Sequence, residues 1–193
     1  MISVDITLSH EQFKMIGVLR SIPGAAAKAA ARAINRAAEG ARTDAIKAIC
    51  EQYAIKPVTV RKTLTIKMAT EKKLTAEIIS TGSQIGLYKF FVSPKKPQNV
   101  PVEKRKTVIA GVKFGTKEKF PHGFVAWMEG GHEGLWHRTG GKTRSGRREI
   151  SEFFGPSVPQ MLGNKHVLDF INKGIHERLD KELRRQISYL LGG

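Results

Sequence analysis

The period of the hydrophobic pattern changes several times along this chain. Residues 2–8 alternate Ile2, Val4, Ile6 and Leu8 with Ser3, Asp5 and Thr7, the two-residue period of a half-buried strand. Ser9 follows with Gln12 three residues on, the spacing of a capping box. That predicts a short helix through Phe13, Ile16 and Leu19, broken at Pro23-Gly24. From residue 25 to about residue 53 the period lengthens. Ala27, Ala30, Ala31, Ile34, Ala38, Ala41, Ala45 and Ile49 recur every three or four residues, which predicts a long amphipathic helix. Alanine is the best helix former, and a stripe of small side chains allows close approach to a sheet or another helix. Gly40 is its weak point, costing about 1 kcal/mol relative to Ala. Lys28, Arg32 and Arg36, at i, i+4 spacing, line up on one face.

Pro57 ends the helical region. Residues 58–68 alternate Val58, Val60, Leu64, Ile66 and Met68 with polar positions and read as a strand. Residues 74–81 read as a second strand after a turn at 71–73, and 87–92 as a third. Residues 94–106 hold three prolines and five Lys/Arg, an exposed loop. Further strands are predicted at 107–114, 124–128 and 135–138, the spacing of an antiparallel meander. Residues 139–148 carry Gly140, Gly141 and Gly146 with Lys142, Arg144, Arg147 and Arg148 and no acid, a mobile basic loop. Residues 153–163 form an apolar, proline-containing linker. A last helix is predicted over 165–191, with Val167, Phe170, Ile171, Ile175, Leu179, Leu183, Ile187 and Leu190 as its apolar stripe, before Gly192-Gly193. Helices segregated from antiparallel strands indicate the α+β class, a sheet packed against two long helices with a short strand-helix lead-in. The expected organisation is a single domain: a lead-in over 1–24, the long helix and sheet over 25–163, and the C-terminal helix over 164–193.

Composition narrows the picture. A chain of 193 residues supports one domain and a core that needs neither metal nor disulfide. At 40% hydrophobic it is too apolar for a disordered chain, and at 7% aromatic its core is aliphatic. No run of about 18 apolar residues is present, which argues against a membrane protein. Cys50 is the lone cysteine, which argues against a disulfide scaffold. Residues 1–5 lack a basic, then apolar export signal, so a reducing cytoplasm is expected, with Cys50 a small buried hydrophobe on its helix. The formal net charge is +16. Residues 1–97 hold 16 basic and 7 acidic side chains and residues 98–193 hold 17 and 10, so the excess is spread along the chain. That suits a body beside a polyanion or a subunit with acidic neighbours.

Candidate chemistry is sparse. His132 and His137 lie five apart among glycines, whereas the zinc-helix motif needs His at i and i+4 on a helix. A turn between two strands is the simpler reading. Gly140-Gly141-Lys142-Thr143 shares letters with a phosphate loop but lacks the first glycine and the following helix. No nucleophile elbow is present. No enzyme, metal or cofactor is expected. Four cationic clusters are candidates for phosphate contact: Lys28, Arg32 and Arg36; Lys95 and Lys96; Lys104, Arg105 and Lys106; and Arg138, Lys142, Arg144, Arg147 and Arg148. Such contacts would be sequence-nonspecific and salt-sensitive, and the alternative for each cluster is a solvated face.

Three stretches taken in order are more specific: residues 31–38 (ARAINRAA) through 55–64 (IKPVTVRKTL), residues 123–134 (GFVAWMEGGHEG), and Arg138-Thr139-Gly140 followed by residues 149–161 (EISEFFGPSVPQM). Together they resemble the prophage minor tail protein Z family of tailed bacteriophages, over roughly residues 25–165. The basic segment 142–148 is longer than the turn expected there. The resemblance implies a virion component that completes the head-proximal end of the tail and joins it to the filled head. It also implies other tail and connector proteins as partners, a homo-oligomeric ring, and assembly in the host cytoplasm. Basic loops would then face packaged DNA or an acidic neighbour, and the 142–148 loop is expected to order on contact with a partner. The alternative is a free-standing, sequence-nonspecific nucleic-acid-binding protein.

Overall fold

A computed structural model describes residues 1–17 and 24–191. The expected helical position of Leu19, the break at Pro23 and the Gly192-Gly193 end lie outside the described residues. The architecture is α+β, with two long helices and four small antiparallel sheets among the described residues, so the expected class is observed while its single sheet is divided. The chain forms two compact units, one from residues 1–49, 60–82 and 159–193, the other from 50–59 and 83–158.

The first unit holds a three-stranded sheet of β1 (Ile2–Thr7), β2 (Leu64–Lys67) and β3 (Thr75–Ser80), in the order β1-β3-β2. The expected alternation in β1 is observed: Val4 and Ile6 are buried, Ser3, Asp5 and Thr7 exposed, and Ile6 sits opposite Ala76. Helix α1 (His10–Ile16) carries the expected capping box. Ser9 Oγ accepts from the Gln12 N–H at 3.3 Å, and Gln12 Oε1 accepts from the Ser9 N–H at 2.9 Å. Helix α2 spans Ala25–Gln52. Its buried set is wider than the predicted stripe: Ala29, Ala33, Ala37, Ile46 and Ala48 are buried too, and Ala27 is only half-buried. Alanine explains the width, because a helix coated with methyl groups admits neighbours over several faces. Asn35 pins α2 to the end of β2, its amide donating to the Ala69 carbonyl at 3.0 Å and accepting from the Ala69 N–H at 2.7 Å.

The expected strand over 58–68 is corrected. Pro57–Arg61 forms a short helix, α3, and only Leu64–Lys67 is strand. Proline has no N–H to lose in the first turn and its fixed φ is already helical, so Pro57 starts a helical turn. The expected linker 153–163 also contains structure, including α4 (Val158–Leu162), in which Met161 and Leu162 have no exposure.

Helix α5 (Lys165–Leu190) is capped by Asn164, whose Oδ1 accepts from the His166 N–H at 3.1 Å. Val167, Ile171, Ile175, Leu179 and Leu183 form its buried row at strict i+4 spacing. Burying such side chains stabilises by about 1.5–3 kcal/mol each, more than any single cap or ion pair on the helix. Phe170, assigned to this stripe from the sequence, is 43% exposed because it lies one position off that row. Asp44 on α2 and Arg178 on α5 form a two-pronged ion pair, one prong at 2.9 Å. Gln12 Nε2 donates to Asp180 Oδ1 at 2.7 Å and ties α1 to α5.

The second unit begins with β4 (Ile85–Gly86), followed by a 3-10 turn at Leu87–Lys89. β5 (Phe91–Ser93), β6 (Val108–Gly111) and β7 (Glu118–Phe120) form one sheet in that order. The expected strand 87–92 therefore starts as a turn: Leu87 and Tyr88 are both buried, which an alternating strand does not allow. The expected strand 107–114 shortens to β6. β8 (Phe124–Trp127), β9 (Glu133–Lys142) and β10 (Arg148–Glu152) make a second sheet in the order β10-β9-β8, and β11 (Phe154–Gly155) pairs with β4. Leu87, Tyr88, Phe90, Val92, Val108, Ala110, Val125 and Leu135 are its buried apolar residues near the sheets.

The loop expected over 139–148 is mostly a hairpin. Residues 139–142 finish β9, Arg148 starts β10, and the Thr143 N–H donates to the Arg147 carbonyl at 2.7 Å across the tip. Lys142 pairs with Arg148 but Arg138 pairs with Ile150, so β9 carries two extra residues, a bulge. Gly140 within it has φ +88°, a conformation glycine adopts without steric cost.

Candidate functional site

An open groove of about 660 Å³ in the second unit gathers cationic side chains from separate stretches of sequence. The 94–106 segment supplies Arg105 and Lys106, β9 supplies Arg138, and β10 supplies Arg148. Local structure fixes each contributor. Gln98 Oε1 accepts from the Lys106 N–H at 2.8 Å and Gln98 Nε2 donates to the Lys106 carbonyl at 2.8 Å, closing the base of a polar loop. Arg105 Nε donates to the Val100 carbonyl at 3.0 Å. The Arg138 guanidinium lies 5.6 Å from the centre of the Phe124 ring, a cation–π contact that holds it at the lip of the groove. His122, Asn99 and Thr107 add polar groups to the lining, and among the described residues no carboxylate lines it.

That last feature separates it from two other charged grooves. One, of about 440 Å³, is lined by Arg36, Arg178 and Lys181 together with Glu39 and Glu182. The other, of about 570 Å³, is lined by Lys28, Arg32 and Lys72 together with Glu71. Several cations of the first unit are neutralised locally: Arg36 by Glu39 at 3.0 Å, Lys73 by Glu77 at 3.0 Å, Arg185 by Glu182 at 2.8 Å, and Arg178 by Asp44. The Lys73 hydrogen bond and charge hold the Glu77 carboxyl below its ordinary range. Among the described residues, Arg105, Lys106, Arg138 and Arg148 form no ion pair.

The structure thus brings together four of the thirteen cations singled out from the sequence, drawn from two clusters. Lys28 and Arg32 share a different groove, and Arg36 a third. Lys95 lies 5.3 Å from the centre of the Tyr88 ring. Lys96, Lys104, Lys142, Arg144 and Arg147 are exposed and line none of these grooves. Gln98 and Phe124 carry no signal in the sequence, because an eight-residue amide clamp and a cross-strand ring contact leave no local pattern.

The histidines do not converge. His132 closes the turn between β8 and β9, as expected, with the Met128 N–H donating to its carbonyl at 2.9 Å. Its Nε2 sits 2.9 Å from Glu152 Oε2. His137 instead packs its ring 4.5 Å from that of Phe153. Among the described residues, no group of three His, Cys, Asp or Glu is placed to hold a metal ion. Cys50 is half-buried, less enclosed than expected, and partial burial raises its thiol pKa. Among the described residues, no helix is long and apolar enough to cross a membrane.

Fold and site together describe an α+β chain whose chemistry is that of surfaces: a cationic groove, exposed rings and local ion pairs. Comparison with known families makes the class particular. Residues 14–192 match the family described as prophage minor tail protein Z (GPZ), and the chain belongs to that family. It is therefore a bacteriophage tail protein of structural type, with the virion tail as its location. No curated protein and no solved structure matches it.

Proposed function

We propose that this minor tail protein completes the head-proximal end of the tail and joins it to the filled head. Its partners there are other tail and head-tail connector proteins. The observation that carries the reading is the family match over residues 14–192, nearly the whole chain. Assembly takes place in the host cytoplasm, the protein acts without a catalytic step, and copies of the chain form a closed ring, the usual outcome of cyclic symmetry. Exposed apolar side chains support contact with other subunits: Phe170 and Tyr189 on α5 are 43% and 73% exposed, and Phe114 and Phe154 in the second unit 63% and 53%.

Deleting the coding sequence from an inducible prophage tests this. Induced lysates viewed by negative-stain microscopy should contain filled heads and separate tails. Normal plaque-forming particles would overturn the reading. A second reading, a free-standing nonspecific nucleic-acid-binding protein, is favoured by the groove without carboxylates. Titration with duplex DNA separates the two. Affinity well below micromolar at physiological salt supports the second, whereas nonspecific contact alone gives about 10⁻⁴–10⁻⁶ M.

A further inference from the structure

We propose that the groove formed by Arg105, Lys106, Arg138 and Arg148 is a binding site for the phosphodiester backbone of duplex DNA, and that the other basic clusters of the chain are not. The inference deepens the tail-protein reading, on which it rests for the identity of the polyanion.

Three observations carry it. First, these four cations come from segments far apart in sequence, yet the fold sets them in one open groove of about 660 Å³. A surplus of charge alone would leave them dispersed, as it leaves Lys96 and Arg144. Secondly, among the described residues no carboxylate lines this groove, whereas Glu71, Glu39 and Glu182 line the two grooves of the first unit. Unneutralised cations held side by side repel one another, and a polyanion is the partner that relieves the repulsion. Thirdly, the site is cationic by arginine more than lysine, and two of its guanidinium groups are held. Arg138 rests on Phe124, Arg105 is anchored on the Val100 carbonyl, and the Lys106 backbone is clamped on both sides by Gln98. A guanidinium presents paired N–H donors that match the oxygens of a phosphate, and holding it in place lowers the entropy lost on contact. Cations that pair with phosphate oxygens position a protein on the duplex without reading its sequence, so the contact expected here is to the backbone.

The test is binding of the full chain to a fluorescein-labelled duplex of arbitrary sequence, followed by anisotropy from about 50 to 200 mM NaCl. Two charge-matched quadruple variants are compared. One is R105Q/K106Q/R138Q/R148Q. The other is K28Q/R32Q/K62Q/K72Q, on the first unit. All eight positions are exposed, so both variants should fold, and circular dichroism checks it. The groove variant should bind more than 100-fold more weakly at the lowest salt. Its log K against log[salt] slope should be shallower by about 3.6, since each of four phosphate contacts contributes about 0.9. The distant variant should lose less than 3-fold. Equal losses in both variants would overturn the proposal, as would competition by polyglutamate as strong as by unlabelled DNA, because that assigns the groove to an acidic protein. Single changes R138Q and R148Q, each expected to weaken binding 2- to 5-fold, keep the test open should the quadruple variant misfold. The assay does not involve tail joining, so its failure leaves the head-joining reading standing. Intact particles from the deletion prophage would remove that reading without touching this result.

Discussion

Gly40 shows how one residue can mean opposite things in sequence and in structure. By helix propensity it is a defect in α2 that alanine would repair by about 1 kcal/mol. In the fold a β-carbon there would lie 2.5 Å from Arg178 Cδ and 2.7 Å from its Nε, while that side chain is held in place by Asp44. Gly174 on α5 is its counterpart, with a β-carbon falling 2.5 Å from Asp44 Oδ2. The two glycines make room for the ion pair between the helices. Gly40→Ala should therefore lower the melting temperature despite its better propensity, and in an Arg178→Ala background the same change should be neutral or stabilising. A double-mutant cycle by thermal unfolding reads the reversal. Additive effects in the cycle would show that Arg178 is not the obstacle. Asp44→Ala alone should cost about 1.5 kcal/mol, the low end for a charged hydrogen bond, because Arg178 is partly solvated. At Cys50, partial burial raises the thiol pKa, and the thiolate is the reactive form. Alkylation by iodoacetamide at neutral pH should therefore run several-fold slower in the native chain than in denaturant. Equal rates would place the thiol in open solvent.

At the scale of elements, what was legible followed burial with a fixed period. β1, the capping box of α1, the long α2 and the buried row of α5 could all be read, because one face of each is apolar and the other is not. The misreadings have physical causes. Residues 58–61 alternate, but four residues do not establish a period, and Pro57 favours a helical first turn. Phe170 fits a three-to-four spacing yet lies one position off the i+4 row that packs. The glycines at 139–148 predict a loop because glycine breaks most strands, whereas here Gly140 supplies a bulge. The candidate groove was half legible: its cations stood out as clusters, but their convergence depends on β9 pairing with β10 and on the Gln98 clamp. The bulge carries its own prediction. Gly140→Ala forces a β-carbon onto a residue at φ +88°, at a cost of about 1–3 kcal/mol. Because the hairpin tip is exposed, the loss should appear as faster amide exchange in residues 136–152 with little change in global melting. Unchanged exchange would mean that the bulge relaxes without strain.

At the scale of the molecule, the surplus of sixteen charges is divided evenly. The first unit holds 18 Lys and Arg against 10 Asp and Glu, and the second holds 15 against 7, a surplus of eight in each. Equal totals conceal different arrangements. In the first unit several carboxylates sit beside lysine or arginine, as at Arg36–Glu39, Lys73–Glu77 and Arg178–Asp44. In the second unit Glu152 sits 2.9 Å from His132 Nε2, and among the described residues the four groove cations form no ion pair. Surface pairs contribute little, with typical values of about 0–1 kcal/mol, whereas like charges confined within each compact unit repel at every separation below the Debye length, about 10 Å at 0.1 M salt. Repulsion should therefore dominate the salt response. Raising NaCl from about 20 to 300 mM should raise the melting temperature of the free chain, as screening relieves the self-repulsion of the folded state. Adding a duplex oligonucleotide at 20 mM NaCl should raise it further, and the R105Q/K106Q/R138Q/R148Q variant should show a higher starting temperature and a smaller rise with DNA. A melting temperature that falls with NaCl would mean that the local ion pairs outweigh the net charge. Repulsion among the groove's cations would then be too weak to favour a polyanionic partner.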